Sequence, residues 1–148
     1  MITTVCMNPC YDKTATLSSL KPGEVNRLRD VRVDIGGKAI NVAIVLRRLG
    51  VAADCIGCLG EADETTFLQL LQKENVPLSY ITVPGQIRTN LKLLDDESHN
   101  VTEFNEPGPV VSPEGLEAFI DLLKEKTVDS SCVVFSGRLP MGCEETTY

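Results

Sequence analysis

The chain has 148 residues, 43% of them hydrophobic and none a Trp, and its 14 basic and 21 acidic side chains give a net charge of −7. That length sustains one ordinary buried core, and the acidic balance excludes a general nucleic-acid surface, which needs clustered Lys and Arg. No apolar run approaches the ~20 residues of a membrane span, and MITTVCMNPC lacks the basic start and apolar stretch of a signal peptide, so a cytoplasmic protein without membrane or nucleic-acid partners is expected.

Ile2 to Met7 is β-branched, ends at the turn pair Asn8-Pro9 and predicts a strand. Thr14 to Leu20 and Val25 to Ile35 alternate apolar positions around Lys21-Pro22-Gly23, which predicts antiparallel ribbon strands. From Ile40 the period becomes helical. Val42, Ile44, Val45, Leu46 and Leu49 suit a helix laid on a sheet, and Gly50 ends it. A strand over Ala52–Leu59, a helix over Thr65–Glu74 and a strand-like run over Val76–Val83 follow. Arg88–Leu94 and Asn100–Asn105 read as a hairpin around Asp95-Asp96-Glu97-Ser98. Ser112-Pro113-Glu114 starts another helix with a capping serine, a proline at the first helical position and an acid in the first turn. Cys132–Phe135 reads as a buried strand.

Strands alternating with helices predict βαβ crossovers and a mostly parallel sheet. The two ribbons break that rhythm and predict a small β flap. The ending, PMGCEETTY, stops where another acidic helix would begin, so the chain looks truncated. The six cysteines read as small buried apolar residues. Cys55-Ile56-Gly57-Cys58 fits C-x-x-C but lies inside a strand-like segment, with no second pair and only His99 as a histidine.

Four segments could carry chemistry. In Gly36-Gly37-Lys38-Ala39-Ile40-Asn41, glycines admit a close ligand, and a helix start with Lys38 favours an anion or hydroxyls; the local alternative is a tight turn with a solvated lysine. The run matches neither the P-loop spacing nor G-x-G-x-x-G. Asp12 follows the first strand, where ligands of open parallel sheets bind and an aspartate can hold sugar hydroxyls; it could equally cap a turn. Arg88, beside Thr89 and Asn90, has the forked guanidinium suited to phosphate, or is an exposed strand arginine. Ser136-Gly137-Arg138 follows the last strand and could present N–H groups and a cation to the same crevice, or be a plain loop.

NPCYD, GGKAINVAIVLRRLG, RTNLKLLD, TEFNEPGP and SGRLPMG, in that order and over nearly the whole chain, resemble the ribokinase-like carbohydrate kinases of the PfkB family, closest to its 1-phosphofructokinase and tagatose-6-phosphate kinase branches. The resemblance implies an α/β, ribokinase-like three-layer sandwich: a mostly parallel central sheet plus a small β-strand lid, here around residues 13–35 and 88–105, with residues 1–148 forming the N-terminal half of one kinase domain. It implies an ATP- and Mg2+-dependent phosphotransferase making fructose 1,6-bisphosphate from fructose 1-phosphate, or acting on tagatose 6-phosphate. By matching motif positions, Asp12 corresponds to the acid on the sugar hydroxyls, and Gly36, Gly37 and Asn41 to the sugar-contacting turn. Lys38 and Arg88, with Asn90 beside them, correspond to ligands of the existing phosphate, and Ser136, Gly137 and Arg138 to the loop lining the crevice. Glu103 sits in the lid-return motif. A homodimer through the lid is implied. The family's Gly-Ala-Gly-Asp motif, which carries the base, does not occur here, so these residues alone are expected to be inactive, with no catalytic base or nucleotide site of their own; no metal ligand is assigned among them. A non-catalytic binding or dimerisation module is the alternative of another class.

Overall fold

The computed structural model describes residues 1–148. Its core is a four-stranded, wholly parallel sheet in the order β5-β4-β1-β8. The strands are β1 (Ile2–Cys6), β4 (Ala53–Gly60), β5 (Leu78–Val83) and β8 (Cys132–Phe135). Successive side chains of a strand point to opposite faces, and two clusters result. Cys6, Cys55 and Leu59 face helices α1 (Lys38–Arg48) and α2 (Glu64–Gln72), meeting Ile40, Ala43, Ile44, Phe67 and Leu71. Val5, Met7, Ile56 and Cys58 face α3 (Pro113–Thr127) and its Phe119. The sheet therefore lies between two helical layers, the three-layer arrangement that the family resemblance implies.

A second four-stranded sheet has the order β3-β2-β6-β7. Its strands are β2 (Cys10–Leu17), β3 (Arg29–Gly36), β6 (Arg88–Asp95) and β7 (Val101–Asn105). One antiparallel pair, β2-β3, is inserted between β1 and α1. The other, β6-β7, is inserted between β5 and α3. Parallel pairing of β2 with β6 fuses the two ribbons into one flap, a junction that reading along the chain does not reveal.

Boundaries move for identifiable reasons. β3 begins at Arg29 rather than Val25 because Asn26 closes the preceding loop: its Nδ2 donates to the Lys21 carbonyl at 2.8 Å and its Oδ1 accepts from the Lys21 amide at 2.8 Å. The α3 start is built as predicted, with Ser112 Oγ accepting from Gly115 N at 3.1 Å and Pro113 opening the helix. In α1, Val45 and Leu49 are exposed, because the buried stripe is Ala39, Ile40, Ala43 and Ile44. β8 is not a buried strand. It is the sheet edge with only β1 as neighbour, and Cys132 and Phe135 are exposed. Buried cysteines hold for Cys6, Cys10, Cys55 and Cys58, whereas Cys132 is exposed and Cys143 half-buried; all six are free thiols.

Candidate substrate-binding site

The loops after β1 and β8 leave the same end of the parallel sheet, where ligands bind in open α/β folds, and the flap stands over them. Between them lies a crevice of about 320 Å3. Its floor holds Gly37, Lys38 and Asn41 from the start of α1, with Gly137 and Arg138 from the loop after β8. Asn8 and Cys10 form its hinge side, and Asp12, Arg88 and Asn90 reach it from the flap.

Pleating explains the flap residues. Residues paired across a sheet share a face. One row is Asp34, Asp12, Asn90 and Asn105; the next is Arg32, Thr14, Lys92 and Glu103. Of these, Asp12, Asn90, Lys92, Glu103 and Asn105 face the crevice, whereas Arg32 and Asp34 on β3 line a separate groove against α1 and α2. The alternate row, Val33, Lys13, Leu91 and Phe104, lies on the opposite face. Lys92, Glu103 and Asn105 therefore also line the crevice. The signal for Lys92 was present in the period-two series Arg88, Asn90, Lys92; that for Asn105 needed the register.

The helix start is tightly built. Gly37 has φ 120°, and a Cβ there would stand 2.7 Å from Cys6 Sγ and 3.3 Å from Pro9 Cα, so only glycine fits. A Cβ on Gly36 would collide with the Asp12 carboxylate. Gly36 thus backs the crevice by making room for Asp12 rather than lining it. Ser136 does not line it either; its amide donates to the Val5 carbonyl at 3.4 Å, holding the loop against β1. The first turn of α1 carries no acid, so nothing from the helix itself offsets its positive end or Lys38.

Asp12 is held through one oxygen. Asn90 Nδ2 donates to Oδ1 at 3.2 Å, the Cys10 thiol donates to it at 3.7 Å, and Lys92 Nζ stands 3.9 Å away. Asn90 Nδ2 also lies 3.2 Å from Cys10 Sγ. Burial first, then the Asp12 charge, pushes the Cys10 thiol up to about 12, so it stays protonated and donates. Cys6 shows which effect wins at the helix start. Its thiol is pushed up to about 11 by burial, although the Ile40 and Ala39 amides act in the other direction. Burial likewise raises Cys55 and Cys58, so the C-x-x-C pair holds neutral core thiols.

Arg88 is only 8% exposed. Its Nε donates to the Asn8 carbonyl at 3.3 Å and its Nη1 to Asn90 Oδ1 at 3.1 Å. Neither acceptor carries a charge, and Arg88 makes no ion pair, nor do Lys38 and Arg138. A larger groove of about 480 Å3 between β3 and α1–α2 differs here: its arginines are already neutralised, Arg32 by Asp34 at 2.7 Å and Arg48 by Glu74 at 2.6 Å. Unpaired buried charge is costly, and Arg88 is the one such cation here; Lys38 and Arg138 are exposed but likewise unpaired, so the crevice, unlike the groove, keeps cationic capacity free for an anion. A divalent cation does not fit the crevice. Its walls set Lys38, Arg88, Lys92 and Arg138 against the carboxylates of Asp12 and Glu103, and no cluster of three His, Cys, Asp or Glu side chains suited to a metal occurs in the chain.

A family model described as pfkB family carbohydrate kinase matches residues 5–148. A 1-phosphofructokinase of Xanthomonas campestris is 36% identical over 98% of this chain and 46% of its own length, and one of Escherichia coli is 33% identical over 99% and 47%. Among solved structures, phosphofructokinase-2 from Escherichia coli in complex with fructose-6-phosphate superposes with a TM-score of 0.88 at 26% identity, covering 99% of this chain and 48% of that one. A possible 1-phosphofructokinase from Thermotoga maritima gives a TM-score of 0.88 at 29% identity, over 98% and 47%. The chain spans about half the length of the curated relatives it matches.

Proposed function

The chain belongs to the pfkB family of carbohydrate kinases, and from that premise we propose that its crevice is the sugar-phosphate side of a kinase site acting on fructose 1-phosphate, with ATP and Mg2+ as phosphoryl donor. The observation that carries the reading is Arg88, a nearly buried guanidinium with no counter-charge, sharing one crevice with Lys38 and Arg138. A neutral sugar leaves those charges unbalanced, whereas a phosphate satisfies the fork of Arg88 and the point charge of Lys38 together. Asp12, given room by Gly36, accepts sugar hydroxyls, Gly37 lets the sugar approach the backbone, and Asn41 and Asn90 supply neutral hydrogen bonds. Gly137 and Arg138 close the floor. The relatives named 1-phosphofructokinase support this sugar over tagatose 6-phosphate.

The donor supplies the transferred phosphoryl group and its metal balances the charge that develops. No residue of 1–148 is assigned to it, nor is a base, since Gly-Ala-Gly-Asp does not occur here. The chain's own contribution is to bind, orient and shield the sugar phosphate. A homodimer through the flap is part of the reading. Val31, Val33 and Phe104 expose 51%, 45% and 54% of their surface there, apolar area that a partner flap would cover. No helix is long and apolar enough to cross a membrane, which accords with action on a cytoplasmic metabolite.

The test compares turnover of fructose 1-phosphate, tagatose 6-phosphate and unphosphorylated fructose by full-length protein. The expected order puts fructose 1-phosphate first and fructose last. Preferential use of fructose would overturn the phosphate reading, and equal use of the two sugar phosphates would remove the narrower name.

A further inference from the structure

We infer that Lys92 is a positioning residue for the sugar, acting through Asp12. The inference rests on the sugar-phosphate reading of the crevice. Lys92 sits one pleat beyond Asn90 on the crevice face of β6, directly across from Glu103 on β7. Its Nζ stands 3.9 Å from Asp12 Oδ1, the oxygen that also accepts from Asn90 and Cys10. All three protein donors converge on Oδ1, while Oδ2 is the atom a Cβ on Gly36 would strike. One oxygen of Asp12 is therefore occupied by side chains of the flap, and the other, packed beside Gly36, has no protein donor.

The arrangement solves an electrostatic problem. Asp12 and Glu103 place two carboxylates on one crevice, and Asp34 adds a third on the row of Asp12. Asp34 is taken by Arg32 at 2.7 Å. Lys92 is the one cation in ion-pair range of Asp12. When a sugar fills the crevice and expels water, that pair strengthens, and the Asp12 side chain stays fixed with Oδ2 as acceptor. Because Lys92 is on β6 and Asp12 on β2, the same pair holds the hydroxyl acceptor across the junction that fuses the two ribbons.

The competing assignment is direct contact of Lys92 with the substrate phosphate, and a double-substitution cycle separates the two. In full-length protein, Lys92→Met raises KM for fructose 1-phosphate roughly threefold to tenfold, with kcat reduced less. Lys92→Gln, of similar length and neutral, does the same, and Lys92→Arg keeps KM within about twofold of the parent, because charge is what is needed. In an Asp12→Asn background the Lys92→Met effect shrinks to less than about twofold, since the group it acts on is gone. Multiplicative losses in the double variant would assign Lys92 to the substrate itself and overturn the inference. So would an unchanged KM in Lys92→Met when Asp12→Asn is impaired. An Asp12→Asn protein with normal KM and kcat fails the crevice reading as a whole, a result distinguishable from failure at Lys92 alone.

Discussion

Arg88 concentrates the physics of the site in one side chain. Its partners are a carbonyl and an amide oxygen, so its charge has hydrogen bonds but no counter-ion. Substitution by alanine removes a charged hydrogen bond to phosphate worth about 1.5–3 kcal/mol, and KM for the sugar phosphate should rise on the order of ten- to a hundred-fold. Steady-state kinetics on full-length protein read this directly, and an unchanged KM would take Arg88 out of the phosphate contact. Asp12→Asn keeps the shape but replaces Oδ1 or Oδ2 with a donor. It should weaken sugar binding and turnover while leaving ATP affinity as it was, as titration of ATP against the variant would show. Both residues were legible in the sequence because each follows a turn or strand start in a recognisable run. Lys92 is marked only by the period-two series Arg88, Asn90, Lys92, and Cys10 only by its place beside a turn, until pleating puts both on the face of Asp12.

At the scale of elements, the ribbons were visible as alternation, yet their fusion was not, because the β2–β6 pairing joins residues about eighty positions apart and leaves no local trace. The flap is braced by Asp95. Its Oδ1 accepts from the amides of Glu97 and Ser98 at 3.0 and 2.9 Å, and its Oδ2 from Leu20 N at 2.8 Å. The turn of one ribbon is thereby tied to the loop of the other. The Ser98 and Leu20 amides hold the Asp95 carboxyl below the usual carboxylate range. A lowered value means that the bracing is fully present above the unfolded carboxylate pKa of ~3.9 and is lost as pH falls through the lower folded value. Amide exchange at Leu20, Glu97 and Ser98, corrected for its intrinsic pH dependence, should therefore accelerate only in acid. In Asp95→Ala it should be fast even at neutral pH. Protection that survives the substitution would show that the flap is braced elsewhere.

Across the whole molecule, the crevice exists because two sheets keep a fixed relation, and Asn8 sits at that junction. It is 3% exposed, its Nδ2 donates to the carbonyls of Pro107 at 3.1 Å and Leu139 at 3.3 Å, and its own carbonyl accepts from Arg88. One side chain thus joins the loop leaving β1, the return from the flap to α3, and the loop after β8. The sequence marked Asn8 only as half of a turn signal, because partners 99 and 131 residues away cannot be inferred locally. Asn8→Ala removes two part-buried hydrogen bonds, each worth about 0.5–1.5 kcal/mol of stability, and should lower the thermal midpoint of full-length protein by several degrees. Asn8→Asp should cost at least as much, since an acceptor then faces both carbonyls. On the proposed sugar-phosphate reading it should also raise KM further than alanine does, because a carboxylate beside Arg88 would supply the counter-charge assigned there to the substrate phosphate. Equal KM values in the two variants would mean that the Asn8 side chain lies outside the electrostatic reach of the crevice, and that its part in the site is mechanical alone.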